Sequence, residues 1–272
     1  MAQTGSDTRF VGSIPELYDS LFVPLIFEPY ARGMAQRVAG LAPQRVLETA
    51  AGTGVLTRAM LQVLPTEVVV IATDLNPPML ARAAQVGTCR PVQWQAADAM
   101  QLPFDDQSFD LVVCQFGVMF FPDKPHAFAE ARRVLRPGGT LLFTAWDRIE
   151  DNEFTDTVTQ ALARMFPDDP PRFMARVPHG YFDRDQIARD LVAGGFDAVS
   201  QIETISLRSR AESAYVPAVA FCQGSPLRSE IEARTGGNVV DATAVCAEAI
   251  SQQFGSGPVD GKIQAHVVSV TR

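Results

Sequence analysis

Three acidic residues, Glu48, Asp74 and Asp98, each follow a short apolar stretch, and successive members lie one strand–helix step apart. Carboxylates at such places accept hydrogen bonds from ribose hydroxyls, although a single strand-end acid often only caps the next helix. The first acid leads into a turn of small residues, AAGTG, at positions 50–54. Small residues let a ligand approach the backbone, and the helix that follows offers free N–H groups. Three acids in phase with this turn predict a site for a nucleotide-like ligand.

Strands and helices alternate through the region that carries these acids. Apolar and β-branched stretches predict strands over residues 44–49, 66–74, 91–98, 109–117, 140–146, 200–210 and 263–272. Periodic stretches predict intervening helices over residues 55–64, 77–86 and 125–139. The alternation predicts an α/β fold with a doubly wound, mostly parallel sheet and helices on both faces. Ligands bind such sheets at the carboxyl ends of the strands, where the three acids are expected.

Outside this alternating region, the pattern is mostly helical. Residues 14–38 predict apolar helices interrupted at Pro24 and Pro29, with Ser13 and Glu16 as a capping box. Residues 167–182 are rich in proline and predict irregular structure.

We interpret the chain as one composite domain with three parts. Residues 1–43 form an N-terminal helical lid, and residues 44–146 form the α/β core that binds a cofactor. Residues 147–272 complete the sheet and carry an inserted helical substrate cap.

Composition narrows the class of partner. A net charge of −8 and a pI of about 4.9 argue against a nucleic-acid substrate, because an acidic chain repels phosphates. The four cysteines form no CxxC pair and the three histidines lie far apart, so no metal cluster is expected. No apolar run reaches the length of a membrane span, and the first residues do not resemble a secretory signal. We therefore expect a cytoplasmic protein that acts on a small molecule; its oligomeric state is not indicated.

The glycine pattern distinguishes between classes of nucleotide site. A dinucleotide fingerprint requires G-x-G-x-x-G/A, but Gly52 and Gly54 are followed by Thr57 at the third small position. A phosphate-binding P-loop requires G-K-[ST], which the sequence lacks. Glu48 beside the turn would repel a pyrophosphate and suits a cationic ligand instead.

Four segments resemble motifs of the class I S-adenosylmethionine-dependent methyltransferases. VLETAAGTG at 46–54 is similar to motif I, and VIATDLNPPML at 70–80 is similar to the segment that carries the ribose-binding acid. DAMQLPFDDQSFD at 98–110 and RRVLRPGGTLL at 132–142 resemble two further blocks. Together they span residues 44–146, and they look most like the small-molecule branch that includes ubiquinone and menaquinone biosynthesis enzymes. The resemblance implies a seven-stranded Rossmann-like sheet, S-adenosylmethionine as cofactor and methyl transfer to a small-molecule acceptor.

The resemblance also implies roles for residues around the methionine part of the cofactor. The backbone of Ala50, Gly52 and Gly54 is expected to pass beside it, and Glu48 to act near its ammonium group, directly or through water. Tyr18 is expected to close over its carboxylate.

Further roles concern the adenosine part. Asp74 is expected to accept hydrogen bonds from both ribose hydroxyls, Leu75 and Met79 to flank the adenine, and Asp98 to accept from the adenine amino group. The rest of the predicted cofactor site comprises Thr53 in the turn, Ala99 and Met100 beside the adenine, and Gln115 facing the cofactor or the substrate.

Ala50 stands where the family motif has its first glycine. If the position needs a positive φ, cofactor binding weakens; if it needs only a small side chain, nothing is lost, and we favour the second. The sulfonium group already activates the methyl group, so no catalytic residue is assigned. A substrate-contacting role for His179 is a minor alternative, and Tyr181, Arg172 and Arg176 are expected mainly at the solvated surface.

Two other functions remain open at this point. An NAD(P)-dependent oxidoreductase on a Rossmann sheet would need the completed glycine fingerprint. A non-catalytic protein of the same fold would bind a cofactor or a partner protein without transferring a methyl group. The replacement of the motif glycine by Ala50 leaves this hypothesis open.

Overall fold

The computed structural model describes residues 7–8, 10, 12–197, 199–236 and 238–272. The strands of this part of the chain are β1 (Arg45–Glu48), β2 (Val69–Asp74), β3 (Gln93–Ala96), β4 (Phe109–Gln115), β5 (Leu135–Trp146), β6 (Gln201–Ala211) and β7 (Val259–Thr271). The α-helices are α1 (Ile14–Leu17), α2 (Glu28–Gly40), α3 (Val55–Val63), α4 (Pro77–Val86), α5 (Lys124–Val134), α6 (Glu153–Met165), α7 (Phe173–Arg176), α8 (Arg184–Ala193), α9 (Tyr215–Gln223), α10 (Leu227–Thr235) and α11 (Val240–Phe254). Short 3₁₀ turns cover Val118–Phe120 and Ile149–Asp151.

The sheet has the order expected of a doubly wound fold. Within the described residues, seven strands form one sheet in the order β3-β2-β1-β4-β5-β7-β6. Strands β1 to β5 pair in parallel, and β7 runs antiparallel to β5. This confirms the predicted α/β class with its mostly parallel seven-stranded sheet. The strand order reverses between β1 and β4, so the loops after these two strands meet at the point where such sheets bind ligands.

Burial on both faces explains why the central strands are almost continuously apolar. Val46 and Leu47 of β1 and Val113 of β4 are fully buried. Leu56 and Met60 on one side of α3 pack in the same cluster as Val46, which fixes α3 behind the loop that follows β1. Parallel strands covered by helices on both faces have this composition because neither face meets water.

Several predicted boundaries are wrong in specific places. The helix expected over residues 125–139 ends at Val134, because Leu135 adopts an extended backbone and pairs with Phe109 of β4. The capping box also fails: in the described chain, the Ser13 side chain makes no capping bond to α1 and instead accepts from the Arg228 guanidinium at 3.0 Å. The chain continues through Pro24 as a π-helix over Tyr18–Phe27 rather than breaking there.

The chain divides into two compact units. The sheet unit comprises Tyr30–Trp146, Tyr181–Ile205 and Ala265–Arg272. The helical unit comprises the described residues of Met1–Pro29, Asp147–Gly180 and Ser206–Gln264. The lid and cap assigned to the N-terminal and later segments stay predictions. No helix among the described residues is long and apolar enough to cross a membrane.

Candidate functional site

The small-residue turn forms a tight loop between β1 and α3. Ala50, Gly52 and Gly54 have φ angles of 52°, 57° and 82°. The Ala51 N–H donates to the Thr73 carbonyl at 2.9 Å, which ties the loop to the end of β2. The alternation of left-handed residues turns the chain sharply from the strand into the helix.

The expectation that position 50 needs only a small side chain is wrong. With φ at +52°, Ala50 lies in the left-handed region, where a Cβ approaches the following carbonyl oxygen. Glycine adopts this conformation without strain, whereas alanine is strained there. The loop therefore keeps the conformation typical of a glycine while carrying a methyl group.

Position 54 requires glycine for two reasons: its backbone φ is positive, and neighbouring side chains leave no room for a Cβ. Its φ is +82°, and a Cβ built on it would lie 2.7 Å from the ring of Trp94 and 3.3 Å from the Cβ of Ala83. The chain therefore starts α3 against the side chains of β3 and α4. Any larger residue here would have to displace the indole of Trp94.

Asp74 ends β2 with its carboxylate turned to the loop. Oδ2 accepts from the Gly52 N–H at 2.8 Å, and Oδ1 accepts from the Asn76 N–H at 2.7 Å. The side chain is almost buried, and this desolvation raises the pKa of the carboxyl, while the two backbone N–H groups oppose the shift. Oδ1 also accepts from the Asn76 side-chain amide at 3.4 Å. An ionised carboxylate offers about four acceptor positions, so Oδ2 retains capacity for a ligand hydroxyl, and Oδ1 gains it where a hydroxyl replaces the long Asn76 amide contact.

Glu48, the last residue of β1, is buried and bonded within the protein. It is 1% exposed, and its Oε2 accepts from the Thr57 hydroxyl at 2.5 Å. Burial raises the pKa of this carboxyl to about 8. Sequence reasoning did not identify Thr57, in the first turn of α3, as the partner of Glu48. The available signal was a hydroxyl residue in the first turn of the helix that follows an acid expected to be buried.

Of the residues expected around an adenine, two are exposed to solvent and the others are buried or half-buried. Asp98 is exposed, and its Oδ1 accepts from the Met100 N–H at 2.8 Å. Leu75 is 53% exposed, unusual for a leucine beside a buried acid, whereas Met79 is buried. Ala99 and Met100 are half-buried. Leu75 thus offers apolar surface to a ligand, whereas Met79 has little exposed surface.

The end of β4 carries an aromatic group that sequence reasoning missed. Gln115, the last residue of the strand, is half-buried, and Phe116 beside it has φ of +55°. The Phe116 ring stacks on Trp146 at the end of β5, with centroids 3.8 Å apart and planes 8° apart. Tyr30 meets both rings edge-on. Aromatic residues at the ends of two buried strands were the available signal: Phe116 follows β4 and Trp146 ends β5. The strained Phe116 backbone is typical of functional sites.

One predicted contact residue belongs to the helical unit. Tyr18 stacks there on Phe22 and Phe27, with ring centroids 5.9 and 5.1 Å apart. Its expected closure over a cofactor carboxylate stays a prediction.

Three of the four side chains considered for substrate binding are engaged within their own units, whereas Arg172 is exposed as expected. Tyr181 is buried, against the expectation of a surface position, and its hydroxyl donates to Asp190 at 2.8 Å. His179 is buried, and its Nδ1 donates to the Asp147 carbonyl at 2.8 Å. Burial lowers its pKa to about 4, so it is neutral at pH 7.

The sequence predicts Arg176 at the solvated surface, and this prediction is wrong. Its guanidinium is mostly buried and pairs with Asp7 and Glu230.

One buried polar atom of the loop has no partner. Thr53 is 1% exposed, and in the described structure its hydroxyl makes no hydrogen bond. An unsatisfied buried hydroxyl costs free energy and calls for a donor or acceptor from outside the chain. Among the described residues, no group of three or more potential metal ligands occurs.

Comparison with known proteins agrees with this geometry. Residues 47–143 match the family model described as a methyltransferase domain. A ubiquinone/menaquinone biosynthesis C-methyltransferase, UbiE, from Dinoroseobacter shibae is 30% identical over 179 residues, which cover 61% of this chain and 71% of that protein. An uncharacterised protein of Mycobacterium tuberculosis is 46% identical over 113 residues, or 40% of this chain, but the match spans only 39% of that protein's length.

A solved structure shows the same fold. The crystal structure of the YcgJ protein from Bacillus subtilis superimposes with a TM-score of 0.55 at 19% identity, covering 90% of this chain and 98% of that one. The similarity extends well beyond the segment that the family model matches, and so includes elements on both sides of residues 47–143.

Proposed function

Because this chain belongs to the class I S-adenosylmethionine-dependent methyltransferases, we propose that it transfers the methyl group of S-adenosylmethionine to a small-molecule acceptor. The observation that carries the proposal is the joint position of the loop and Asp74. Oδ2 of Asp74 accepts from the Gly52 N–H, which places a buried carboxylate beside a loop whose small side chains leave its backbone accessible to a ligand. This combination suits S-adenosylmethionine, because the carboxylate can accept from its ribose hydroxyls and the small residues leave room for its methionine part.

The residues present fit this cofactor. Asp74 can accept from two ribose hydroxyls, one at the open position of Oδ2 and one in place of the long Asn76 amide contact on Oδ1, and the exposed Leu75 side chain beside it offers an apolar face for adenine. The exposed carboxylate of Asp98, with one oxygen bonded to the Met100 N–H, suits the adenine amino group. The unpartnered Thr53 hydroxyl supports a polar ligand at the loop. We extend the same proposal to the other predicted contacts, Ala50, Gly54, Met79, Ala99, Met100, Gln115 and Tyr18.

Glu48 is proposed to act on the ligand's ammonium group through water rather than by direct contact. Its carboxyl is buried and bonded to Thr57, and its pKa of about 8 means that it carries a proton at pH 7. A cation nearby would favour the ionised form, so binding of the cofactor would release a proton here.

The reaction needs little covalent chemistry from the protein. S-adenosylmethionine supplies an electrophilic sulfonium methyl group when it is bound. The loop, Asp74 at the end of β2 and Asp98 two residues after β3 hold and orient the adenosyl part, which converts an encounter of two solutes into a positioned reaction. We assign no catalytic residue, because a base is needed only where the acceptor must lose a proton.

We propose a small-molecule acceptor because relatives in the family act on such compounds by name, and because the chain is acidic. The same charge supports the proposal that nucleic acid is not a substrate. A cytoplasmic location is supported by four cysteines that are all free thiols. Residues 1–43 and the helical segments within 147–272 are proposed to supply the lid and the substrate cap.

The proposal is tested by calorimetric titration of the purified protein with S-adenosylmethionine, S-adenosylhomocysteine and NAD. We expect both adenosyl-sulfur ligands to bind and NAD not to bind. A screen of small-molecule acceptors then follows the formation of S-adenosylhomocysteine. Binding of NAD alone would indicate an oxidoreductase, and binding of S-adenosylmethionine without turnover on any acceptor would indicate a non-catalytic protein of this fold.

A further inference from the structure

Gly117, two residues after the end of β4, has backbone angles that any residue can adopt, but its surroundings leave no room for a side chain. Gly117 has φ of −103° and ψ of −32°, which any residue adopts. A Cβ built on it would lie 2.4 Å from the Cβ of Ala50 and 2.7 Å from the Sγ of Cys114. Both separations are far shorter than van der Waals contact. Glycine is therefore present at 117 because of space and not because of conformation.

Ala50 shows the reverse arrangement. Its φ of +52° favours glycine, yet it carries a methyl group, and that group faces Gly117. The two residues meet where the strand order reverses, because Ala50 follows β1 and Gly117 follows β4. The methyl group of one loop thus fills the space that the missing side chain of the other leaves.

We propose that Gly117 is a positioning residue for the cofactor, acting through Ala50 on the loop of residues 50–54. This inference rests on the proposed function. Contact of the Ala50 methyl group with the bare backbone at 117 restrains a loop whose first residue would move more freely if it were glycine. Two residues further on, the Gly52 N–H must stay directed at Oδ2 of Asp74. A side chain at 117 would push Ala50 away and disturb that hydrogen bond.

The coupling is tested by a double-mutant cycle in a Cys114→Ala background, which removes the second atom that a new side chain at 117 would meet. The cycle combines Gly117→Ala and Ala50→Gly, singly and together. Calorimetry gives the Kd for S-adenosylhomocysteine, and thermal unfolding without ligand gives Tm. We expect Gly117→Ala to raise Kd about tenfold beside Ala50 and less than about threefold beside Gly at position 50, a coupling typical of residues in contact.

A matched control places the same methyl group in open space. Gly33 lies within α2, and nothing would be within 4 Å of a Cβ there. Gly33→Ala in the same background should leave the Kd for S-adenosylhomocysteine unchanged.

The outcomes separate this proposal from the proposed function. If the unmodified protein fails to bind S-adenosylhomocysteine, the proposed function fails. If only the Cys114→Ala parent fails, because the Cys114 thiol that it lacks also bonds to the Gly117 backbone, the Ala50→Gly variant of the unmodified protein decides the positioning proposal. If the parent binds and Gly117→Ala changes Tm but not Kd, or raises Kd by the same factor in both backgrounds, position 117 has only a structural role and the positioning proposal is wrong.

A second variant covers the case in which Gly117→Ala does not fold. Ala50→Gly removes the methyl group without adding an atom, so the loop loses its restraint on the Gly117 side. The backbone strain of alanine at a φ of +52° is present in both the free and the bound loop, so its relief lowers the unfolding cost but does not change Kd. We therefore expect Kd for S-adenosylhomocysteine to rise about threefold, since a more mobile loop loses more conformational freedom on binding. An unchanged Kd in this variant would overturn the proposal.

Discussion

The backbone N–H of Gly52 donates to Oδ2 of Asp74 at 2.8 Å. This bond joins the loop after β1 to the last residue of β2. The Asn76 N–H holds the other carboxylate oxygen at 2.7 Å. Both oxygens of Asp74 are therefore oriented before a ligand arrives, which lowers the ordering cost of binding.

Replacement of Asp74 tests its assignment to the ribose. Asp74→Ala removes two charge-assisted hydrogen bonds to the ligand, so we expect the Kd for S-adenosylhomocysteine to rise about a hundredfold or more. Asp74→Asn keeps the shape and one amide oxygen, and should fall between parent and alanine variant. Calorimetry measures all three.

Asp105→Ala is the control for a lost acidic charge. Asp105 is exposed in the turn before β4, and its side chain is not part of the loop. Its replacement should leave Kd within about twofold of the parent, since isolated surface charges contribute little. Equal affinities of the Asp74→Ala variant and the parent would refute the ribose assignment.

Glu48 predicts a loss of stability as pH rises. Burial raises its pKa from 4.5 to about 8, so between these values the folded protein keeps a proton that the unfolded chain releases. Relative to Glu48→Gln, which can still accept from Thr57, the parent should lose on the order of 3 kcal/mol between pH 5 and pH 8. Urea unfolding at several pH values measures the difference; parallel curves for the two proteins would contradict it.

His179 predicts the opposite pH dependence. Its pKa is lowered by burial from 6.5 to about 4, so as pH falls below 6.5 the unfolded chain takes up a proton that the folded protein does not. The parent should therefore lose on the order of 2–3 kcal/mol between pH 6.5 and pH 4 relative to His179→Asn. Asparagine can still donate to the Asp147 carbonyl. The same unfolding series measures this pair, and no divergence in acid would show that the histidine is not kept neutral.

Gly54 and Gly138 separate steric clash from backbone strain. Their φ angles are +82° and +79°, but a Cβ at 54 would meet Trp94 at 2.7 Å, whereas nothing lies within 4 Å of a Cβ at 138. Gly138→Ala should cost about 1 kcal/mol of unfolding free energy from strain alone. Gly54→Ala should cost about 2 kcal/mol more, since overpacking adds to the strain. Denaturant unfolding gives both values, and similar losses would mean that Trp94 yields without cost.

Local patterns predicted much of the candidate site. The strand-end position of Asp74 and the glycines at 52 and 54 follow from period and turn chemistry, and the structure brings Asp74 and Gly52 into contact. The role of Glu48 was harder to predict, because its partner is Thr57 on the next helix and its protonation depends on burial. The helix after residue 124 was predicted too long, since pairing of Leu135 with Phe109 overrides the local helical pattern.

By itself, the amino-acid sequence determined the alternation of strands and helices, the parallel sheet, the small-residue turn and its acids. These properties depend on residues close together in the chain. Only the tertiary structure decided that Ala50 adopts a positive φ and that its methyl group faces Gly117. That contact depends on the register of β1 and β4, in which Glu48 lies opposite Val113. Local propensity does not encode such a register, because it follows from how two distant strands pack in one sheet.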